Sequence, residues 1–174
     1  HGTTRDTIEE TLNIDGVLFR FIDTAGLRET DEIVEKIGIE RTFKKISEAS
    51  VVLGMVDLTR DFESTCETVR EIIDKVDFES QKLVILLNKT DISEVNNNVN
   101  TINFIVSELE AKGVKPIISA EGNIAALDMR KGSTSTISEA AIIAISAKTG
   151  SGINILRTHL ANSQRDLLAD SDTT

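Results

Sequence analysis

The sequence predicts an α/β fold of three layers, with helices on both faces of a mostly parallel sheet that carries one antiparallel hairpin at its edge. Two observations predict this fold. Short apolar runs alternate along the chain with segments whose apolar residues recur at helical spacing, which is typical of parallel strands buried on both faces. Near the start, two alternating segments flank the pair Asp15-Gly16, and an Asp-Gly pair in that position indicates a tight hairpin.

The first 76 residues supply the hairpin, one buried strand and two helices. Alternation of apolar and polar residues predicts hairpin strands over residues 7–14 and 17–22. Helical spacing predicts helices over residues 33–46 and 63–76. Between these helices, the apolar run 51–56 predicts a parallel strand, and it ends at an aspartate.

Two more buried strands follow along the chain, and each of them is followed by polar residues. The runs 82–87 and 141–145 are followed directly by Asn88 and Ser146. Ligands of parallel α/β sheets bind beyond the carboxyl ends of the strands. We therefore expect a binding site where these two polar residues lie.

Residues 93–139 have the weakest pattern. We expect an Asn-rich turn at residues 96–98, a helical piece around 102–109, an extra strand near 116–119 and a loop at 131–133. After this region, the spacing predicts a closing amphipathic helix over residues 152–168, followed by a polar tail.

Charge and cysteine content limit the classes of function. The chain of 174 residues has 29 acidic and 19 basic residues, a formal net charge of −10. Such a surface repels phosphate backbones, so a bound nucleotide must be held by local geometry and a metal ion. The single cysteine, Cys66, cannot form an internal disulfide, and no apolar run approaches the ~18 residues of a membrane span. We expect a cytoplasmic protein with no membrane partner.

Two motifs at the strand ends predict a site for guanine. They are NKTD at residues 88–91 and SAKTG at residues 146–150. Guanine presents an N1–H and an exocyclic amine on one edge, and the carboxylate of Asp91 can accept both hydrogens, whereas adenine offers no matching pair. Either motif alone is also compatible with an ordinary polar turn after a strand. Their occurrence together, each after an apolar run, favours guanine.

The other residues of the two motifs have predicted roles around the same base. Ser146 begins the second turn, in which the main-chain N–H groups of Ala147 and Lys148 are expected to donate to the 6-oxygen of guanine. Lys89 is expected to lay its methylene stem along the face of the base. Asn88 is expected to tie the two turns together.

Two earlier segments predict a site for phosphates and Mg²⁺. In DTAGLRET, at residues 23–30, Asp23 suits the outer coordination sphere of a Mg²⁺ ion on the terminal phosphates, and Gly26 lets a backbone N–H approach the γ-phosphate. In GTTRD, at residues 2–6, Thr4 is the candidate hydroxyl ligand of Mg²⁺. Alternatively, the first segment is an ordinary glycine turn, and the threonines of the second cap a strand.

The order of the motifs TTRD, DTAGLRET, EKIGIERT, NKTD and SAKTG resembles the MnmE branch of the TrmE–Era–EngA–septin-like GTPases. The resemblance runs from Gly2 to roughly Leu160, and the segment EKIGIER at residues 35–41 does most to indicate the branch. It implies a three-layer P-loop NTPase-type G domain over residues 1–160. Residues 161–174 would be the end of a helix and a polar linker toward a helical domain.

The resemblance also implies an activity and its partners. The expected reaction is GTP hydrolysis coupled to modification of the wobble uridine of tRNA, with GTP/GDP, Mg²⁺ and K⁺ bound and with an FAD-dependent partner protein. G domains of this branch form a homodimer, K⁺ takes the place of an arginine finger, and tRNA binds only through other domains. Glu35 matches the glutamate that orients the attacking water. Without the resemblance, Glu35 would be a solvated acid in a first helical turn.

The 174 residues contain no G-x-x-x-x-G-K-[ST] segment, so relative to the family we expect the first strand and the P-loop to be lacking. That strand would lie between the strand before Asp23 and the strand 51–56. A P-loop surrounds the phosphates with N–H groups and supplies a Lys and a Ser/Thr. Loss of three or four charge-assisted hydrogen bonds of about 1.5–3 kcal/mol each lowers affinity by roughly 10⁴-fold or more. We expect residues 1–174 alone to bind GTP poorly and to be inactive.

Two alternative functions stay open at this point. One is the G domain of an EngA-like or Era-like ribosome-assembly GTPase, which differs in its response to K⁺ and in dimerisation. The other is a non-catalytic pseudo-GTPase that serves as an interaction module, which the coding sequence upstream of residue 1 would distinguish.

Overall fold

The computed structural model of the chain describes residues 9–22, 44–120 and 138–171. They belong to two units, one of Ser50–Leu156 and one of His1–Ala49 with Arg157–Thr174. The predicted helix 33–46 lies outside the described residues except for its end, where residues 44–46 are helical. The predicted loop 131–133 and the first two residues of the predicted strand 7–14 also lie outside them.

The predicted hairpin is confirmed as a two-stranded antiparallel sheet of β1 (Glu9–Ile14) and β2 (Val17–Ile22). The two turn residues, Asp15 and Gly16, have φ angles of 49° and 86°. A two-residue turn that matches the twist of its strands needs such left-handed conformations, and Asp and Gly tolerate them best. Within the same unit, the Arg165 guanidinium donates to the main-chain oxygen of Asp15 at 3.4 Å.

The other four described strands form one parallel sheet. They are β3 (Val51–Asp57), β4 (Lys82–Asn88), β5 (Val114–Ser119) and β6 (Ser138–Ala144), in the order β3-β4-β6-β5. The predicted extra strand near residues 116–119 is confirmed as β5. The predicted strand 141–145 begins three residues earlier than expected, where Ser138 pairs with Val114.

Three described helices complete the fold: α1 (Phe62–Asp74), α2 (Val95–Ala111) and α3 (Ile153–Ser171). Asp61 precedes α1 and accepts a hydrogen bond from the Ser64 N–H at 2.9 Å, which satisfies a donor of the first turn. The sequence places the end of the last helix at residue 168, but α3 continues to Ser171. No Gly or Pro stands between its first and last residues to end it sooner.

The predicted Asn-rich turn at residues 96–98 is wrong, because these residues are in the first part of α2. Asparagine has only a modest helix penalty, and packing overrides it. Ile102, Ile105 and Leu109 of the same helix are buried in the core. Asn98 is itself buried, and its side-chain amide donates to the Ser93 hydroxyl at 2.9 Å.

Both faces of the parallel sheet are covered, which confirms the three layers. Residues of β4 alternate between two apolar clusters. Leu83, Ile85 and Leu87 face the cluster that contains residues of α1 and α2, and Val84 and Leu86 face the cluster that contains the first residues of α3. The sheet therefore has a helical layer on each side, as an apolar run without alternation predicts.

Among the described helices, none is both long enough and apolar enough to cross a lipid bilayer.

Candidate functional site

The polar residues predicted to form a site share one edge of the parallel sheet. Asp57 ends β3 and is paired in register with Asn88, the last residue of β4. On the other side of β4, Leu87 is paired with Ala144, which ends β6 two residues before Ser146. Parallel strands thus bring residues separated by about half the chain to the same carboxyl edge.

Hydrogen bonds join the two turns that carry the predicted guanine motifs. The Ser146 hydroxyl donates to Oδ1 of Asp91 at 2.7 Å, and Oδ1 of Asn88 accepts the Ala147 N–H at 3.0 Å. Thr90 adds two bonds to the carbonyl oxygen of Ile145, from its N–H at 3.3 Å and from its hydroxyl at 2.9 Å. Turns that are 55 or more residues apart in sequence therefore form one structure.

Asp91 lies at the exposed end of this structure, while its partner Ser146 is buried. The Ser146 oxygen accepts the Thr149 N–H at 3.2 Å, so its own hydrogen is directed to the Asp91 carboxylate. A carboxylate oriented in this way at a sheet edge can accept two neighbouring N–H groups from a ligand.

The turn after β6 is closely packed on its own backbone. The Gly150 N–H donates to the carbonyl oxygen of Ser146 at 2.8 Å, and the Ser146 N–H donates to that of Ser151 at 3.0 Å. Gly152 has a φ of 74°, and a Cβ atom there would lie 2.1 Å from the carbonyl oxygen of Ala144. A side chain at this position would therefore require the end of β6 or the turn after it to move.

The Asn88 side chain competes with a base for the hydrogen bond that the Ala147 N–H is predicted to donate. In this structure its N–H donates to the Asn88 side chain, so donation to a base requires that this hydrogen be shared or that Asn88 turn away. The bond fulfils the role predicted for Asn88, which is to tie the two turns together.

Lys89 forms an ion pair that sequence reasoning missed. Its Nζ lies 2.7 Å from Oδ2 of Asp57, and Oδ1 of that carboxylate accepts bonds from the N–H and hydroxyl of Thr59, at 3.0 Å and 2.7 Å. The Lys89 hydrogen bond, with help from Thr59, lowers the pKa of Asp57 to about 2. The available signal was that Asp57 ends an apolar run, as Asn88 does.

The lowered pKa of Asp57 predicts a dependence of stability on pH. A carboxyl whose folded-state pKa is about 2 contributes stability above its unfolded value, and that contribution is lost as pH falls through 2. Because the side chain is 32% exposed, we expect only about 1 kcal/mol. The difference in free energy of unfolding between the wild type and Asp57→Asn should shrink toward zero between about pH 5 and pH 2. Urea unfolding at several pH values measures it, and a constant difference would contradict the assignment.

The remaining predicted site residues are Thr4, Asp23, Gly26 and Glu35, and they lie outside the described residues. Within the described ranges, no group of three or more His, Cys, Asp or Glu side chains could hold a metal ion. Burial raises the pKa of the Cys66 thiol, which is the opposite of what a nucleophilic cysteine requires.

Comparison with known proteins connects this geometry to a family. The sequence profile of the family described as 50S ribosome-binding GTPase matches residues 1–89. The tRNA modification GTPase MnmE of Bacteroides thetaiotaomicron is 48% identical over 94 residues, which are 54% of this chain and 20% of the relative. The protein of that name from Porphyromonas gingivalis is 39% identical over 140 residues, 80% of this chain and 29% of the relative. The chain thus spans less than a third of the length of these relatives.

A solved structure has the same fold. The crystal structure of Era in complex with MgGDPNP and nucleotides 1506–1542 of 16S ribosomal RNA aligns with 91% of this chain and 44% of its own, with a TM-score of 0.58 and 21% sequence identity. At that identity the likeness shows the α/β fold of a G domain.

Proposed function

The chain belongs to the 50S ribosome-binding GTPase family, and from this premise we propose that it is the GTP-binding and GTP-hydrolysing domain of a cytoplasmic GTPase in tRNA wobble-uridine modification. The observation that carries the proposal is the joining of the turns 88–91 and 146–150 at one sheet edge, with the Asp91 carboxylate held by Ser146. The name shared by the relatives, tRNA modification GTPase MnmE, favours this role over ribosome assembly.

The proposed ligand is the guanine of GTP or GDP. Asp91 accepts the N1–H and the exocyclic amine, and the main chain at Ala147 and Lys148 donates to the 6-oxygen. The stem of Lys89 covers one face of the ring, and Asn88 holds the two turns at the required separation. Adenine presents a bare N1 and no amine at position 2, so it leaves the Asp91 carboxylate without partners, which costs binding free energy.

The phosphates and metal ions are proposed to bind through the earlier segments. Thr4 and Asp23 would hold Mg²⁺, directly and through the outer coordination sphere, and the N–H of Gly26 would approach the γ-phosphate. Bound Mg²⁺ and K⁺ supply positive charge that compensates the phosphates. Glu35 orients the attacking water. Residues 1–174 by themselves are proposed to bind GTP weakly and to be inactive, since they contain no G-x-x-x-x-G-K-[ST] segment.

The proposed partners follow from the resemblance to the MnmE branch. They are a second copy of the protein, which pairs through the G domain, and an FAD-dependent protein of tRNA modification. The net charge of −10 does not favour tRNA as a ligand of this domain, so tRNA is proposed to bind elsewhere in the protein.

The test uses the protein expressed from its complete gene. We expect GTP hydrolysis to be faster in K⁺ than in Na⁺, and Glu35→Gln to lower kcat by about 10²-fold with GDP affinity unchanged, because the carboxylate acts only on the attacking water. Glu71→Gln, at an exposed position of α1, is the matched control. Hydrolysis that is indifferent to K⁺ and to Glu35→Gln would refute the proposed mechanism.

A further inference from the structure

The side chains of Lys89 and Asp57 connect the ends of two neighbouring strands. The ammonium nitrogen of Lys89 lies 2.7 Å from Oδ2 of Asp57. The second carboxylate oxygen accepts two hydrogen bonds from Thr59. Both oxygens are therefore engaged, and the carboxylate is a fixed partner for the ammonium.

The backbone around Lys89 is fixed as well. Its φ is 69°, in the left-handed region that residues other than glycine seldom adopt. On one side, Asn88 accepts the Ala147 N–H at 3.0 Å. On the other side, Thr90 donates twice to the carbonyl oxygen of Ile145. Since the backbone and the ammonium are both held, the methylene stem between them has less conformational freedom than that of an unpaired lysine.

Stability alone does not account for this arrangement. The Lys89 and Asp57 side chains are 45% and 32% exposed, and exposed ion pairs contribute little to folding. Ordering a lysine side chain also costs conformational entropy. A stem that is already ordered loses less entropy when a flat ring packs on it. The ion pair also engages the ammonium, so the part left to meet a base is apolar.

We propose that Asp57 is a positioning residue for the base: it holds the Lys89 ammonium so that the Lys89 stem forms one face of the guanine site. The inference rests on the proposed function, because it takes Asp91 and the turn 146–150 as the place where guanine binds. Asp57 itself does not contact the nucleotide. Its effect passes through Lys89, and Thr59 in turn fixes the Asp57 carboxylate.

The inference is tested by a double-mutant cycle on GDP affinity, measured by calorimetry with the protein expressed from its complete gene. Asp57→Ala should weaken GDP binding by about threefold to thirtyfold, the range set by the entropy of ordering one lysine side chain. Asp57→Asn, which can still accept a hydrogen bond from Lys89, should weaken it less. Lys89→Met keeps an apolar stem but has no ammonium, so adding Asp57→Ala to it should change nothing further.

A matched control removes an ion pair of the same length elsewhere in the sheet. Glu139→Ala, the same truncation as Asp57→Ala, removes the pair between Glu139 Oε1 and Lys115 Nζ, which is also 2.7 Å, and it should leave GDP affinity unchanged.

Two results overturn the inference alone, given a wild type that binds GDP. One is an Asp57→Ala variant that binds GDP as the wild type does. The other is an equal effect of Asp57→Ala in the presence and absence of Lys89→Met. If Asp57→Ala does not fold, wild-type GDP affinity of Lys89→Met overturns it, because that variant also leaves the stem unheld. A wild type that fails to bind GDP overturns the proposed function and this inference together.

Discussion

Asp91→Asn is expected to lower the affinity of the complete protein for GDP by about 10²- to 10⁴-fold, which is the loss of two charge-assisted hydrogen bonds of roughly 1.5–3 kcal/mol each. The physical reason is that the carboxylate accepts both the N1–H and the exocyclic amine of guanine. An amide has one accepting oxygen, and its NH₂ group faces the NH₂ group of the base.

The same substitution should create affinity for xanthosine diphosphate. Xanthine carries an oxygen at position 2 in place of the amine, so the amide NH₂ can donate to it while the amide oxygen accepts the N1–H. Calorimetric titration of both nucleotides against both proteins measures the exchange of specificity.

The control for this substitution is Asp74→Asn. Asp74 is 67% exposed and pairs with Lys112, at the end of α1, and its replacement should leave both affinities as in the wild type. GDP binding by Asp91→Asn at wild-type strength would contradict the assignment of the base to this edge.

The second large effect is expected at Gly152, where Gly152→Ala should lower the free energy of unfolding by about 3 kcal/mol or more, through overpacking and left-handed strain together. The added Cβ would lie 2.1 Å from the carbonyl oxygen of Ala144 and 3.1 Å from its carbon. Neither atom can yield without moving the end of β6, where Ala144 pairs with Leu87. The substitution should therefore also displace the turn that carries Ser146.

Gly113→Ala separates the two causes of this loss. Gly113 has nearly the same φ, 73°, but a Cβ there would meet no atom within 4 Å. It should cost only about 1 kcal/mol, the strain of the left-handed conformation. Urea unfolding of both variants gives the comparison, and equal losses would show that the close approach to Ala144 is unimportant.

The sequence was sufficient to predict the layered fold and the edge at which the two motifs meet. Local composition alone identifies the apolar runs 51–56, 82–87 and 141–145, without knowledge of tertiary contacts. Once these runs are assigned to parallel strands, their polar ends must share one edge of the sheet. The hydrogen bond between Ser146 and Asp91 is a finding of the structure that a shared edge alone does not specify. The roles of Thr4, Asp23, Gly26 and Glu35 stay predictions.

Sequence reasoning missed features that depend on tertiary contacts. The pairing of Asp57 with Lys89 depends on the register of β3 against β4, and no local pattern specifies a register between strands 25 or more residues apart. The three asparagines at residues 96–98 predict a turn, because asparagine favours turns. The burial of Asn98 and Ile102, which holds them in a helix, depends on the rest of the fold.

The two-sided burial of β4 constrains its length more strictly than its composition. Successive side chains of β4 enter apolar clusters on opposite faces of the sheet. Deletion of one residue would therefore move the side chains on one side of the deletion to the opposite face, and both faces would still receive apolar side chains. The same deletion would withdraw everything after the strand by about 3.3 Å. Asp91 would then no longer reach Ser146, whose hydroxyl it meets at 2.7 Å. Other aliphatic residues can fill the same two clusters, but only a strand of this length brings Asp91 to Ser146.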